Sequence, residues 1–168
     1  MSPTDDAAFI VAHELAVIAT RDKGYPYLRY KVQCETVEMY VSEMIWTPLR
    51  DSMLAEYGLN VTREFYTFRV PPVFSASCIE TSDPIGQLQN GCLYVMLVLY
   101  WQDVLGNQGT PSDIENRYSQ CFPKSLIIGK GILAIINEIG GYDTPAKAKA
   151  IFQRVIDEYN LQDCICVS

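Results

Sequence analysis

Apolar positions divide the chain into segments of helical spacing separated by turns, with one segment that has no polar side at all. That segment runs from Leu88 to Leu105, and from Cys92 to Trp101 it holds ten consecutive residues with no formal charge, no Gly and no Pro. An element without a polar stripe must be covered on every side, and this one falls short of the roughly 18 apolar residues that cross a bilayer. It is expected to be the buried hub of the fold. Its Val, Tyr and Trp residues favour strands, and periodicity does not separate a buried strand from a buried helix. Its length, about five turns at 3.6 residues each, favours helix.

The remaining elements follow from spacing and capping signals. Thr4 caps a first helix with Asp5 and Asp6 in its opening turn and an inner face of Phe9, Ile10, His13, Ala16, Val17 and Thr20, ending near Arg21. After a turn at Asp22–Tyr27, the segment from Tyr27 to Gln33 alternates weakly, as a short strand or an irregular connection does. Val37, Tyr40, Val41, Met44 and Ile45 resume helical spacing. Thr47-Pro48 then reads as an N-cap with Pro at the first helical position, opening a helix through Leu49, Met53, Leu54 and Tyr57 to Gly58. Asn60 to Val70 is short and aromatic, and Val73 to Gly86 has no clear period.

Past the hub, Thr110-Pro111 repeats the cap ahead of a helix through Ile114, Tyr118 and Phe122, which Pro123 interrupts. Leu126 to Ile139 is apolar up to a Gly140-Gly141 stop; Gly129 and Gly131 each weaken a helix there by about 1 kcal/mol relative to Ala, and a strand is the alternative. The last helix has Thr144 as cap, Pro145 as first residue, and Ala148, Ile151, Phe152, Val155, Ile156 and Tyr159 as one apolar face before Asn160. The sum is an all-α fold of six or seven helices around one buried apolar helix. An α+β fold with residues 27–32, 93–101 and 126–136 as strands is the alternative.

Composition narrows the function. At 168 residues the chain has the size of one domain, 1–168. Thirteen basic against twenty acidic residues give a net charge of −7, and Lys147, Lys149 and Arg154 are as close to a basic patch as the chain comes. Nucleic-acid binding is therefore not expected. The N-terminus is acidic rather than a secretory leader and the C-terminus has no apolar tail, so the expectation is a cytoplasmic protein with no membrane anchor. The six Cys show no C-x-x-C pair, which in such a compartment predicts free or buried thiols. Cys164 and Cys166 form a C-x-C pair in what reads as a frayed terminus. The single histidine, His13, leaves little for a zinc site or a triad and reads as a partly buried core residue. No phosphate loop, nucleophile elbow or metalloprotease motif is present, and the carboxylates are scattered, so no catalytic residue, metal or cofactor is called for.

One segment carries a resemblance. Ile132-Leu-Ala-Ile-Ile-Asn-Glu-Ile-Gly-Gly-Tyr-Asp143 resembles the second homology motif of the Bcl-2 family of apoptosis regulators, in which a helix runs into Gly-Gly-Trp and an acidic residue. Tyr142 stands at the Trp position. The hub sits where that family has its central helix, and Asn90-Gly91 falls near the start of the family's first homology motif, Asn-Trp-Gly-Arg, which puts Cys92 at the Arg position. That Arg pairs with an acidic residue of the bound helix in the family, and Arg50, Arg63 or Arg69 would have to replace it. The third homology motif is faint, with Leu49-Arg50 followed by Met53-Leu54. Divergence of this kind resembles viral members of the family.

The resemblance implies an anti-apoptotic, non-enzymatic bundle that sequesters the amphipathic homology-motif helix of pro-apoptotic partners in an apolar groove, a recognition mode read by apolar anchors at helical spacing. By motif, Gly91, Cys92, Val95 and Leu99 fall on the groove side of the hub. Met53, Tyr57, Phe65 and Phe68 are added from the middle region. A homodimer through that apolar region is compatible with the pattern. The rival reading, tied to the α+β alternative, is a structural or assembly subunit of phage tail-terminator type; an enzyme with an unrecognised site is a third.

Overall fold

The structure, a computed structural model, describes residues 3–31 and 34–168 and, for residues 3–6, the backbone alone. The cap expected of Thr4 and the acidic turn of Asp5 and Asp6 lie outside the described side chains, as do Val32 and Gln33 altogether. In chain order the elements are α1 (Pro3–Asp22), β1 (Leu28–Tyr30), α2 (Glu35–Glu56), α3 (Val61–Glu64), α4 (Pro71–Ser75), α5 (Pro84–Leu99), α6 (Ser112–Cys121), α7 (Pro123–Ile139), α8 (Pro145–Glu158) and β2 (Ile165–Val167). Two π-helical turns extend the helices: Phe65–Arg69 follows α3 and Tyr100–Val104 follows α5. The fold is an all-α bundle, and the only sheet among the described residues is the antiparallel pair β1–β2, with Leu28 opposite Val167 and Tyr30 opposite Ile165.

The hub is a helix. Asp83 caps it by accepting from the N–H groups of Ile85 (3.3 Å) and Gly86 (2.9 Å), and Pro84 opens it. Tyr94 through Tyr100 are buried without interruption. Helices α7 and α2 supply most of the cover. The contact with α7 is close because both partners place glycine there: a Cβ on Gly129 would lie 2.6 Å from Tyr94 Cδ1 and 3.0 Å from Gly91 O, and one on Gly91 would meet Ile128 Cγ2 at 2.7 Å. The glycines that weaken α7 locally are thus what lets it approach the hub, and residues 93–101 and 126–136 are helix, which removes the α+β alternative.

Four expectations need correction. Thr47-Pro48 does not start a helix; α2 continues through it for 22 residues with Pro48 inside. An interior Pro costs a helix about 3 kcal/mol through its missing N–H and its ring, but every residue from Met44 to Asp51 is buried, so tertiary packing outweighs the local preference. In α1, Ile10 is 63% exposed, and the inner face is formed by Phe9, Ala12, Ala16 and Thr20. The C-terminal residues are not frayed, because Ile165 is buried and β2 pairs with β1.

The cysteines are the fourth. Cys78 and Cys121 form a disulfide with a Cα–Cα distance of 4.5 Å, leaving Cys34, Cys92, Cys164 and Cys166 free. Arg117 donates to the carbonyls of Val73 (3.4 Å) and Ala76 (2.6 Å), and Glu80 accepts from Lys124 N (3.0 Å), Ser125 N (2.7 Å) and Ser125 Oγ (2.8 Å). These bonds hold the segment before α5 across the α6–α7 corner, which brings two cysteines 43 residues apart into bonding range.

Candidate partner-binding surface

The segment with the family resemblance forms a corner. Gly140 (φ 86°) and Gly141 (φ 96°) take left-handed conformations that end α7. Tyr142 is buried and donates to Asp103 Oδ2 at 2.7 Å, tying the corner to the end of the hub. Burial, and then the neighbouring Asp103 charge, raise the Tyr142 hydroxyl above its ordinary pKa, so it is a donor at all ordinary pH. Tyr25 donates to Asp143 O at 2.6 Å, and Lys147 closes the turn on Asp143 Oδ1 at 2.7 Å.

The eight residues expected to line one groove are distributed over the core and four separate openings. Val95 and Leu99 lie in the core, and Gly91 is pressed against α7. Met53 and Tyr57 line an apolar cavity of about 400 Å3 between α1 and the end of α2, beside Leu15, Ala16 and Leu59. Phe68 lines an adjoining cavity with Phe9 and Leu59. Phe65 is buried, stacked on Tyr100 at 5.0 Å, and also borders a cavity of about 290 Å3 with Phe74 and Trp101.

Cys92 is the floor of a fourth opening. It is a depression of about 150 Å3 between α2 and α5, lined by Met39, Tyr40, Glu43, Met44 and Thr47 of α2, Leu93 and Met96 of α5, and Arg69 of the first π turn. Such a volume is close to that of an engineered apolar cavity that holds benzene, so it accepts one large side chain at a time. Burial pushes the Cys92 thiol up to about 12, so it is an apolar wall there and not a nucleophile. Sequence reasoning missed Met39, Met44 and Met96 as site residues, although methionines three and four residues apart from other apolar positions on helices are the signal of an adaptable surface.

A buried polar cluster backs this depression. Glu43 receives Arg50 Nη2 on both oxygens at 2.6 Å and also accepts from the Thr47 hydroxyl. Arg50 donates Nε to Trp46 O at 3.0 Å and lies over the Trp46 ring, so it is fully engaged within α2. Arg63 borders the cavity that holds Phe68. Of the three arginines considered as replacements at the Cys92 position, Arg69 lines the same depression. Its Nη2 is shared between Glu64 (3.4 Å) and Asp51 (3.6 Å), while its Nε has no hydrogen-bond partner. Asp51 is completely buried, and both its oxygens lack a hydrogen bond within 3.5 Å. Burial raises its pKa to about 6 against the opposing pull of Arg69 and the nearby Tyr100 hydroxyl. His13 is half-buried on the other side of the cluster; burial, then the charges of Arg50 and Arg69, keep its pKa below the ordinary value.

Among the described residues, no group of three or more His, Cys, Asp or Glu side chains has metal-binding geometry, and no helix is long and apolar enough to cross a membrane. No protein-family profile, curated protein or solved structure matches this chain. The arrangement offers apolar depressions, an incompletely paired guanidinium and exposed aromatics at Tyr57, Tyr66, Phe68 and Phe74.

Proposed function

We propose that the protein is an anti-apoptotic, Bcl-2-like inhibitor, of viral type, that sequesters the amphipathic homology-motif helix of a pro-apoptotic partner between α2 and α5. The observation that carries this reading is the α2–α5 depression, where three methionines surround Cys92 and Arg69 stands on the wall. An amphipathic helix is read by apolar anchors at helical spacing with a charge on its flank. Met39, Leu93 and Met96 suit one such anchor, and the partly exposed guanidinium of Arg69 suits an acidic residue beside it. Arg69 then takes the part that the resemblance assigns to the residue replaced by Cys92.

Calorimetric titration with a panel of pro-apoptotic helix peptides tests the proposal. One-to-one binding should weaken at least about tenfold in Met39→Glu, because a carboxylate on the rim opposes apolar burial, and should be unchanged in Tyr57→Ala. The opposite pattern would move the site to the α1–α2 cavity. Binding of no peptide would end the sequestration reading. Gly91→Glu does not serve as a test, since its side chain would collide with Ile128 and disturb the fold itself.

A cytosolic site of action is part of the proposal, and the disulfide bears on it. Bonds such as Cys78–Cys121 persist mainly in oxidising compartments, so cytosolic action requires that binding survive their reduction. Titration in excess dithiothreitol should give the same affinity; loss of binding would point to an oxidising compartment.

A further inference from the structure

We propose that Cys34 and Cys164 form a reversible disulfide that fastens the start of α2 to the C-terminal strand. The β1–β2 ladder continues one residue beyond its strands, with Lys31 N–H donating to Cys164 O at 2.8 Å. Cys34 N–H donates back to Lys31 O at 3.0 Å, which sets Cys34, the N-cap residue of α2, beside the end of that ladder. Both side chains thus start from the same end of the ladder. Hydrogen bonding with Cys34, ahead of burial, keeps the Cys164 thiol above its ordinary pKa. Both residues are partly exposed, so a small oxidant reaches them, whereas Cys92 is sealed in the core. Cys166 is exposed on the same side of β2, because the intervening Ile165 points into the core, and it is the competitor that the test must exclude.

The oxidant class is a low-molecular-weight disulfide such as glutathione disulfide. Cys34 Sγ, as thiolate, attacks one sulfur of the oxidant, and its S–S bond breaks to release one glutathione thiolate, which takes up the proton lost by Cys34. Cys164 Sγ then loses its proton and displaces the second glutathione from Cys34. Two protein thiols give up two electrons and two protons, and one oxidant disulfide becomes two thiols. The new bond closes a loop of most of the chain, the case in which a cross-link restricts the unfolded state most.

The test uses the full chain under native conditions with glutathione disulfide, followed by alkylation, non-reducing digestion and mass spectrometry. The expected result is a Cys34–Cys164 linked peptide with Cys92 and Cys166 alkylated, and a rise in Tm of roughly 5–10 °C, reversed by dithiothreitol. The linkage should vanish in Cys34→Ser and persist in Cys166→Ser. The proposal is overturned if Cys34 stays free or carries only glutathione, or if Cys34 becomes linked as readily in Cys164→Ser through Cys166.

Discussion

At Asp51, burial and charge oppose one another. Its folded pKa of about 6 lies above the unfolded value of 3.8, so below pH 3.8 the carboxyl is protonated in both states and contributes nothing. Between those values only the folded state holds the proton. Above pH 6 both states are ionised, and the folded state carries a penalty of about 3 kcal/mol. Stability from this group therefore rises as pH falls from 7 towards 4. Asp51→Asn should melt higher than the parent at pH 7.5 and at nearly the same temperature at pH 4, as followed by circular dichroism. A lower Tm at pH 7.5 would mean that pairing with Arg69 outweighs the burial. His13 acts in the opposite sense: its depressed pKa holds stability above the unfolded value near 6.5, and that share is lost as pH falls through the folded value. Titration of the double variant with His13→Gln separates the two.

Gly129 is a second residue whose role is geometric. An alanine there meets the Tyr94 ring and the Gly91 carbonyl, so Gly129→Ala should destabilise the fold by about 1–3 kcal/mol in urea denaturation, despite its gain in helix propensity. A neutral result would show that α5 and α7 separate easily. This closeness was not legible in the sequence, where Gly129 only weakened a helix. The buried Asp51 was equally hidden, because in sequence it is one carboxylate among twenty acidic residues.

The elements were legible where local chemistry and packing agree. In α8, Thr144 accepts from Lys147 N at 3.3 Å, Pro145 opens the helix, and the expected face from Ala148 to Ile156 is the buried one. The same signal stands at Asp83-Pro84, yet the Ser- and Pro-rich stretch before it obscured the start of α5. At Thr110-Pro111 the helix begins one residue later, with Pro111 in the cap position. Pro123 interrupts α6 as expected and also opens α7. Thr47-Pro48 misled because the signals for a helix start are local, whereas the burial of Met44 to Asp51 on all sides is not. The weak alternation over 27–33 marked β1, but its pairing with β2 and the Cys78–Cys121 bond join distant segments and left no mark in spacing.

Glu80 links two of these elements. Burial opposes its ionisation, but the N–H groups of Ser125 and Lys124 and the Ser125 hydroxyl outweigh it and lower its pKa. Its contribution to stability is thus present above the ordinary carboxylate range and is lost as pH falls through the folded value. Glu80→Gln should cost about 1 kcal/mol at neutral pH, as loss of a helix cap does, and less in acid. An equal cost at both pH values would show that the charge is not what holds the corner.

For the whole molecule, an all-α bundle around one buried helix was readable from the length and continuity of the hub, while the site was readable only in part. Cys92 and the aromatic middle region proved to border cavities, but the eight expected residues are divided among separate openings and the core. Residue type gives burial more readily than it gives the side of a helix: of the α2 methionines, Met53 was placed in the groove, Met44 only on the inner face, and Met39 in neither. The five methionines offer a direct test of where a partner binds, because Met39, Met44 and Met96 line the α2–α5 depression and Met53 lines the α1–α2 cavity. The decisive measurement is methyl-resolved NMR of methionine-labelled protein during titration with a pro-apoptotic helix peptide. The account predicts that the methyl signals of Met39, Met44 and Met96 shift to saturation at one equivalent while Met53 stays in place. Saturable movement of Met53 alone, or no movement of any methionine, would contradict it.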